Sequence, residues 1–245
     1  MACLKHTVLT GASLSDFISH VEEQRVAGTI VACSTKETFL EQLLAACLES
    51  LEMSSTAAEE VKVSEVAPPS KYRLLQQPSL RMLATSQKIK LAFCPDISHL
   101  RAYLATYKGP KVSDQGSVLA ILNPIELHRP TSAFSAQDLN RAFSLAVEAA
   151  VRTNSRLLIS EVPASRAGTP HPEMHQAGPA ADIGAEEPPS APPVDAWDEE
   201  VSILNVTTKS FGAGRRGWFG RTAKIKRVAE RWCTFEQCSP RSSSP

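Results

Sequence analysis

Apolar residues in this chain gather into short runs that alternate with helically spaced stripes. Gly28-Thr29-Ile30-Val31-Ala32-Cys33, Ile89-Lys90-Leu91-Ala92-Phe93-Cys94, Ser117-Val118-Leu119-Ala120-Ile121-Leu122 and Arg156 to Val162 read as strands, the first with the few polar positions expected of a parallel strand covered on both faces and the third the most buried-looking. Between them the apolar positions change period. Leu14, Phe17, Ile18 and Val21 follow Gly11, and Phe39, Leu40, Leu43, Leu44, Cys47, Leu48 and Leu51 follow Ser34. Ile97, Leu100, Tyr103 and Leu104 follow Asp96, and Leu139, Phe143, Leu145, Ala146, Ala149 and Ala150 follow Ser135. Three of these stretches open on a capping signal, Ser13 with Asp16, Ser34 with Glu37 and Ser135 with Asp138, while Asp96 can cap the fourth. Gly109-Pro110 closes the helix that Asp96 opens. Strand and helix alternate, which predicts an α/β core with a mainly parallel sheet flanked by helices and joined by right-handed crossovers.

The pattern lapses twice. Residues 54–87 contain Pro68, Pro69 and Pro78 with weak periodicity, and read as a partly ordered insertion. Residues 163–195 hold eight of the seventeen prolines and almost no large apolar side chain, the composition of a flexible loop. Beyond that loop Val201 to Val206 and Thr222 to Val228 read as two strands with no helix between them, an antiparallel edge hairpin. Residues 198–236 are too few for a core of their own. The expected organisation is an α/β core over 1–162, a proline-rich acidic loop over 163–197, C-terminal strands completing the same sheet over 198–236, and a disordered tail over 237–245.

Composition sharpens this picture modestly. A chain of 245 residues with 42% hydrophobic and 21% charged residues can build a substantial core. Net charge is zero, but its distribution is uneven. Asp182 to Glu200 carries seven acidic residues and no Lys or Arg, whereas Asn205 to Arg231 carries eight basic residues against Glu230. Such adjoining blocks speak about partners, not about fold. The six cysteines form no C-x-x-C pair, and Cys33, Cys47 and Cys94 lie in apolar runs, so reduced buried thiols fit better than zinc or a disulfide framework. No metal site is predicted. The start of the chain lacks the apolar core of a signal peptide and no stretch approaches a membrane span. Nucleus or cytoplasm is the expected location, with no membrane partner and no secretion.

Candidate chemistry sits at strand ends and in one loop. Gly28 to Leu44 has the layout of a nucleotide-binding loop, but no glycine follows Gly28 and Lys36 precedes Glu37 where Ser or Thr is needed. Ser34-Thr35-Lys36 could hold an anion at a helix start or simply cap that helix. Asn123 follows the apolar strand where a Mg²⁺-binding Asp would stand, and is otherwise a turn residue before Pro124. Glu126, His128, Arg129 and Thr131 cluster just beyond, at the edge where open α/β sheets place ligands. They are either an acid–base group or turn-forming residues, and no nucleophile motif accompanies them. No catalytic and no cofactor-binding residue is assigned. The sharpest feature is Lys209-Ser210-Phe211-Gly212-Ala213-Gly214-Arg215-Arg216-Gly217-Trp218-Phe219-Gly220-Arg221, with Lys224 and Lys226 close behind. Cations for phosphates and an aromatic for base stacking make Arg215, Arg216, Trp218, Arg221, Lys224 and Lys226 the nucleic-acid-binding candidates, with single-stranded DNA as ligand. The alternative is a connection whose charges pair with the acidic block before it.

In order of elements, residues 25 to 236 resemble the core of RecA-like recombinase paralogues, particularly the short diverged accessory subunits. The stretch Cys33 to Thr38 matches the family's ATP loop without its Gly and Lys-Ser/Thr, Val118 to Leu122 matches the Walker B strand with Asn123 at the acidic position, and Arg221 to Phe235 looks like the closing core strand. The resemblance implies a RecA-like sheet and a non-catalytic accessory protein of DNA repair by homologous recombination, with other RecA-like recombination proteins as partners. It also implies no cofactor and no ATP hydrolysis, since the phosphate-binding residues are missing. A small transferase or hydrolase using the 123–131 loop, and a protein scaffold without DNA contact, are the rival classes.

Overall fold

The computed structural model describes residues 5–59, 80–110, 116–162, 195–203 and 221–238, the side chains at 49–59, 81 and 82 excepted. Six parallel strands form one sheet: β1 (Thr7–Thr10), β2 (Ala27–Ala32), β3 (Ile89–Phe93), β4 (Ser117–Leu122), β5 (Ser155–Ser160) and β8 (Thr234–Gln237), in the order β3-β2-β4-β5-β1-β8. Two short strands, β6 (Glu200–Ser202) and β7 (Thr222–Lys224), pair antiparallel in a separate sheet. The helices are α1 (Leu14–Glu23), α2 (Lys36–Glu59), α3 (Leu80–Ser86), α4 (Ile97–Thr106), α5 (Pro124–His128), α6 (Ala136–Arg152) and α7 (Ile225–Ala229).

Because strand side chains alternate, the sheet has two buried faces. Val118, Ala120 and Leu122 of β4 join Ile30, Ala32, Leu9 and Leu158 beneath Phe17 and Val21 of α1 and Phe39 of α2. Leu119 and Ile121 point the other way with Val8, Val31, Leu157 and Ile159. There they meet Leu100 and Leu104 of α4, Leu139 and Phe143 of α6, and Ile225 and Val228 of α7. Crossovers that run toward β3 thus put α1 and α2 on one face, and those that run toward β8 put α4, α6 and α7 on the other, as a constant right hand requires. Trp197 completes the second face. It is 2% exposed, with Phe143 at 6.2 Å and Phe235 edge-on at 5.3 Å.

From β2 to β5 the alternation of strand and helix is as the sequence predicts, β1 and α5 (within the 123–131 loop) are elements it does not predict, and three C-terminal details differ. The antiparallel hairpin exists as β6 with β7, but it stands apart from the main sheet, and β8 is what extends that sheet, parallel to β1. Residues 225–228, the second half of the stretch that reads as strand from 222 to 228, belong to α7, because Ile225, Val228 and Ala229 share a helical face and all three are buried. Gln237, assigned to the tail, closes β8, and the Cys238 N–H donates to the Thr10 carbonyl at 2.9 Å. In the 54–87 insertion, α2 continues to Glu59 and α3 begins at Leu80. Residues 60–79 and most of the proline-rich segment, 163–194, lie outside the described residues.

Candidate functional site at the carboxyl edge of the sheet

All strands of the main sheet are parallel, so their carboxyl ends line one edge, and ligands of such sheets sit where neighbouring crossovers part. Here β2 leads toward β3 and β4 leads toward β5, which leaves a parting between the loops Cys33-Ser34-Thr35 and Asn123-Pro124. Five helices begin along or next to this edge.

Their first turns are occupied by the chain's own side chains. At α1, Gly11 turns the chain with φ 68, and Ser13 and Asp16 form a reciprocal capping box. The Asp16 N–H donates to Ser13 Oγ at 3.1 Å, while Ser13 Oγ donates to Asp16 Oδ2 at 2.7 Å. At α2 the cap is Thr35, whose Oγ1 accepts the Thr38 N–H at 3.2 Å; Ser34, the residue the sequence favours, donates instead to the Thr35 carbonyl. Glu37 lies in the same turn. At α4, Asp96 accepts the His99 N–H at 2.8 Å and sits 2.5 Å from the His99 ring, contacts that hold its carboxyl below the usual range. At α6, Ser135 Oγ accepts the Asp138 N–H at 3.3 Å.

At α5 the partner comes from across the edge. Glu161 follows β5, and its Oε1 accepts the Ile125 N–H at 2.5 Å. As a residue Glu161 is only partly buried, yet its carboxyl is enclosed by protein, and desolvation pushes its pKa up to about 8 against the lowering effect of the Ile125 and Glu126 N–H groups. Beside it, Cys33 is buried, and both desolvation and the Glu161 charge raise its pKa. Burial also pushes Cys94 up to about 11. Both sulfurs are therefore thiols near neutral pH, and weak nucleophiles.

Asn123 is 5% exposed and adopts the left-handed conformation with φ 58. Its Oδ1 accepts the Val162 N–H at 2.8 Å, and its own N–H donates to the Ser160 carbonyl at 2.8 Å. The side chain therefore clasps the ends of β4 and β5. His128 is fully buried. Its Nδ1 lies 2.7 Å from the Pro124 carbonyl, and burial lowers its pKa. Glu126 and Arg129 pair at 3.4 Å, and Arg129 also reaches Glu199 at 2.8 Å, which links this edge to the C-terminal strands. The structure thus keeps Glu126 and His128 apart as an acid–base pair: one pairs with Arg129, and the other has no exposed surface. Thr131 Oγ1 donates to the His128 carbonyl at 2.7 Å, a turn contact.

Of the DNA-binding candidates, Arg215, Arg216 and Trp218 lie outside the described residues. Arg221 is exposed, and its carbonyl accepts the Ile203 N–H at 3.0 Å. Lys224 pairs with Asp198 at 3.2 Å, and the Lys226 ammonium lies 5.3 Å from the centre of the Phe235 ring. Glu161 is not among the residues that the sequence singles out, because it lies at the end of an apolar strand run. The one available signal was a carboxylate at the strand end beside the Asn123 strand. Among the described residues no group of three or more His, Cys, Asp or Glu could hold a metal ion, and no helix is long and apolar enough to cross a membrane.

The fold and its edge define an α/β protein with a six-stranded parallel sheet whose helix starts are filled by its own polar groups. The family model described as SPAC22G7.03-like matches residues 6–169, from β1 past β5, and the chain belongs to that family. No curated protein and no solved structure matches the chain.

Proposed function

We propose that this protein is a non-catalytic RecA-like accessory protein that assists DNA repair by homologous recombination, working in the nucleus through its surfaces on other RecA-like proteins and on single-stranded DNA. The observation that carries the non-catalytic half is the filling of the carboxyl edge. A phosphate needs free N–H groups and a positive field at a helix start. Here each start carries a carboxylate, namely Asp16, Glu37, Asp96, Glu126 and Asp138, and the α5 N–H groups are already held by Glu161. The RecA-like half rests on the resemblance in order of elements. In that family the first strand-to-helix loop holds ATP, and with β1 recognised that loop is Gly11-Ala12-Ser13-Leu14-Ser15-Asp16, again without the Lys-Ser/Thr pair. Asn123, matched to the metal-binding acid, has its amide oxygen engaged by the Val162 N–H.

The DNA-binding half is tested by fluorescence anisotropy on labelled single-stranded oligonucleotides over a salt series. If about four cations touch phosphates, affinity falls with a log–log slope of roughly −3. Arg215→Glu/Arg216→Glu then weakens binding, and Trp218→Ala removes about 1–3 kcal/mol through lost base stacking. Equal affinity of wild type and the folded charge-reversed variant would favour the second reading, a protein scaffold. One observation supports that reading: Asp198 of the acidic block already holds Lys224.

A further inference from the structure

The side of the sheet at β3 is unlike the carboxyl edge. Among the described residues β3 is the outermost strand and is bonded only to β2, so one row of its backbone N–H and C=O groups has no strand partner there. Long open edges with apolar side chains are templates for further pairing. Leu91, in the middle of β3, is 46% exposed. It lies on the same face as Ile89 and Phe93, and Phe93 touches Phe39 of α2 edge-on at 5.7 Å. The same helix leaves Leu40, Leu44 and Leu48 at 47%, 61% and 51% exposure, spaced by one turn in a single ridge. Phe39 and Leu43 of α2 point into the sheet, and α1 flanks α2 from the β4 side. The leucine ridge is thus the flank turned toward β3 and away from the core. Backbone edge, Leu91 and leucine ridge form one continuous surface.

Charge along the strand favours one kind of occupant. Lys88 and Lys90 stand exposed at its start, and Asp96, exposed and ionised, stands just past its end. Lys88, Lys90 and Asp96 share a parity, which for Lys90 is the face opposite Leu91. A copy laid antiparallel sets each lysine end against the other copy's Asp96 end, whereas a parallel copy sets lysine against lysine. An antiparallel pair about a two-fold axis is also isologous and closes on itself, so the edge is used up and no fibre propagates.

We propose that β3 and the leucine flank of α2 form the interface of a homodimer, with β3 pairing antiparallel to β3 of a second copy near Leu91 and the two α2 ridges packing alongside. Sedimentation equilibrium of the full chain over 1–50 µM tests it. The expected result is a species of twice the 26.5 kDa chain mass. Leu44→Glu/Leu91→Asp should raise the dimer dissociation constant at least tenfold without altering the circular dichroism, since both leucines are half-exposed. Lys88→Glu/Lys90→Glu should weaken it in the same direction, and high salt should weaken the wild type. Leu91→Cys should crosslink to its counterpart under mild oxidation beyond the wild-type background, and Arg141→Cys on α6 should not. A monomer at 50 µM would overturn the proposal, and Lys90 would then be a charge that keeps the edge unpaired. A dimer insensitive to Leu44→Glu/Leu91→Asp, or one crosslinking no better through Leu91→Cys than through Arg141→Cys, would overturn it equally.

Discussion

The carboxyl edge of the sheet and the β3 side are built from the same materials, strand ends and helix surfaces, and they treat their exposed groups in opposite ways. At the carboxyl edge Ser13, Thr35, Asp96, Glu161 and Ser135 each hold a backbone N–H of a helix start, and Asn123 ties two strands together. Along β3 the outward backbone row and four leucines have no described neighbour that covers them. A fold of this class places ligands at the carboxyl edge; among the described residues that edge is capped by the chain's own side chains, while the β3 side is left uncovered. Binding capacity follows what is left unsatisfied. The contrast therefore directs attention from small-molecule chemistry to surfaces.

The largest effect that sharpens the contrast concerns Glu161. Its carboxyl has a folded-state pKa of about 8 against an ordinary 4.5, so between those values the folded chain retains a proton that the unfolded chain has released. Stability contributed by this group is full below the ordinary value and falls as pH rises through about 8. Each tenfold change in proton affinity is worth about 1.4 kcal/mol, so the decline is on the order of a few kcal/mol, trimmed by the solvent that reaches the exposed part of the residue. Urea melts from pH 5 to 9 should show the decline, and Glu161→Gln, which keeps an acceptor for the Ile125 N–H, should flatten it. On the acid side, His128 works the other way: its lowered pKa keeps it neutral in the fold, so stability falls as pH drops below about 6.5.

Next in size is Asn123→Ala. It leaves the part-buried Val162 N–H without its 2.8 Å acceptor and puts alanine at φ 58, so a loss of about 2–3 kcal/mol is expected in the same melts. The smallest effect belongs to the open side. Leu44→Ser should change monomer stability by no more than about 0.5 kcal/mol, because the side chain is already 61% exposed. Comparable losses at Asn123 and Leu44 would erase the distinction between a closed and an open edge.

The pattern of the chain makes some of this legible. β2, β4 and β5 are readable because strands covered on both faces must be apolar throughout, and α1, α4 and α6 because one face of each is buried under capping signals. β1 is only Thr7-Val8-Leu9-Thr10, and its strand character comes from lying between β5 and β8, contacts more than a hundred residues away. β8, Thr234-Phe235-Glu236-Gln237, is too polar to announce itself and takes its strand state from β1. In 222–228 two periods compete, and burial of Ile225 and Val228 against the core decides for helix after Lys224. Asn123 is visible from its place after β4, but its role is not, since its partner N–H belongs to another strand end. Glu161 is hidden for the same reason: nothing local in Ser160-Glu161-Val162 says that α5 will bring the Ile125 N–H to it.

Closure of the carboxyl edge by the chain's own side chains is tested by isothermal titration calorimetry with MgATP at millimolar concentration. Only heats of dilution are expected, for the wild type and for Lys36→Ala alike. Saturable, Mg²⁺-dependent binding that is lost on Lys36→Ala, or that strengthens when Asp16→Asn removes the carboxylate from the first loop, would contradict it.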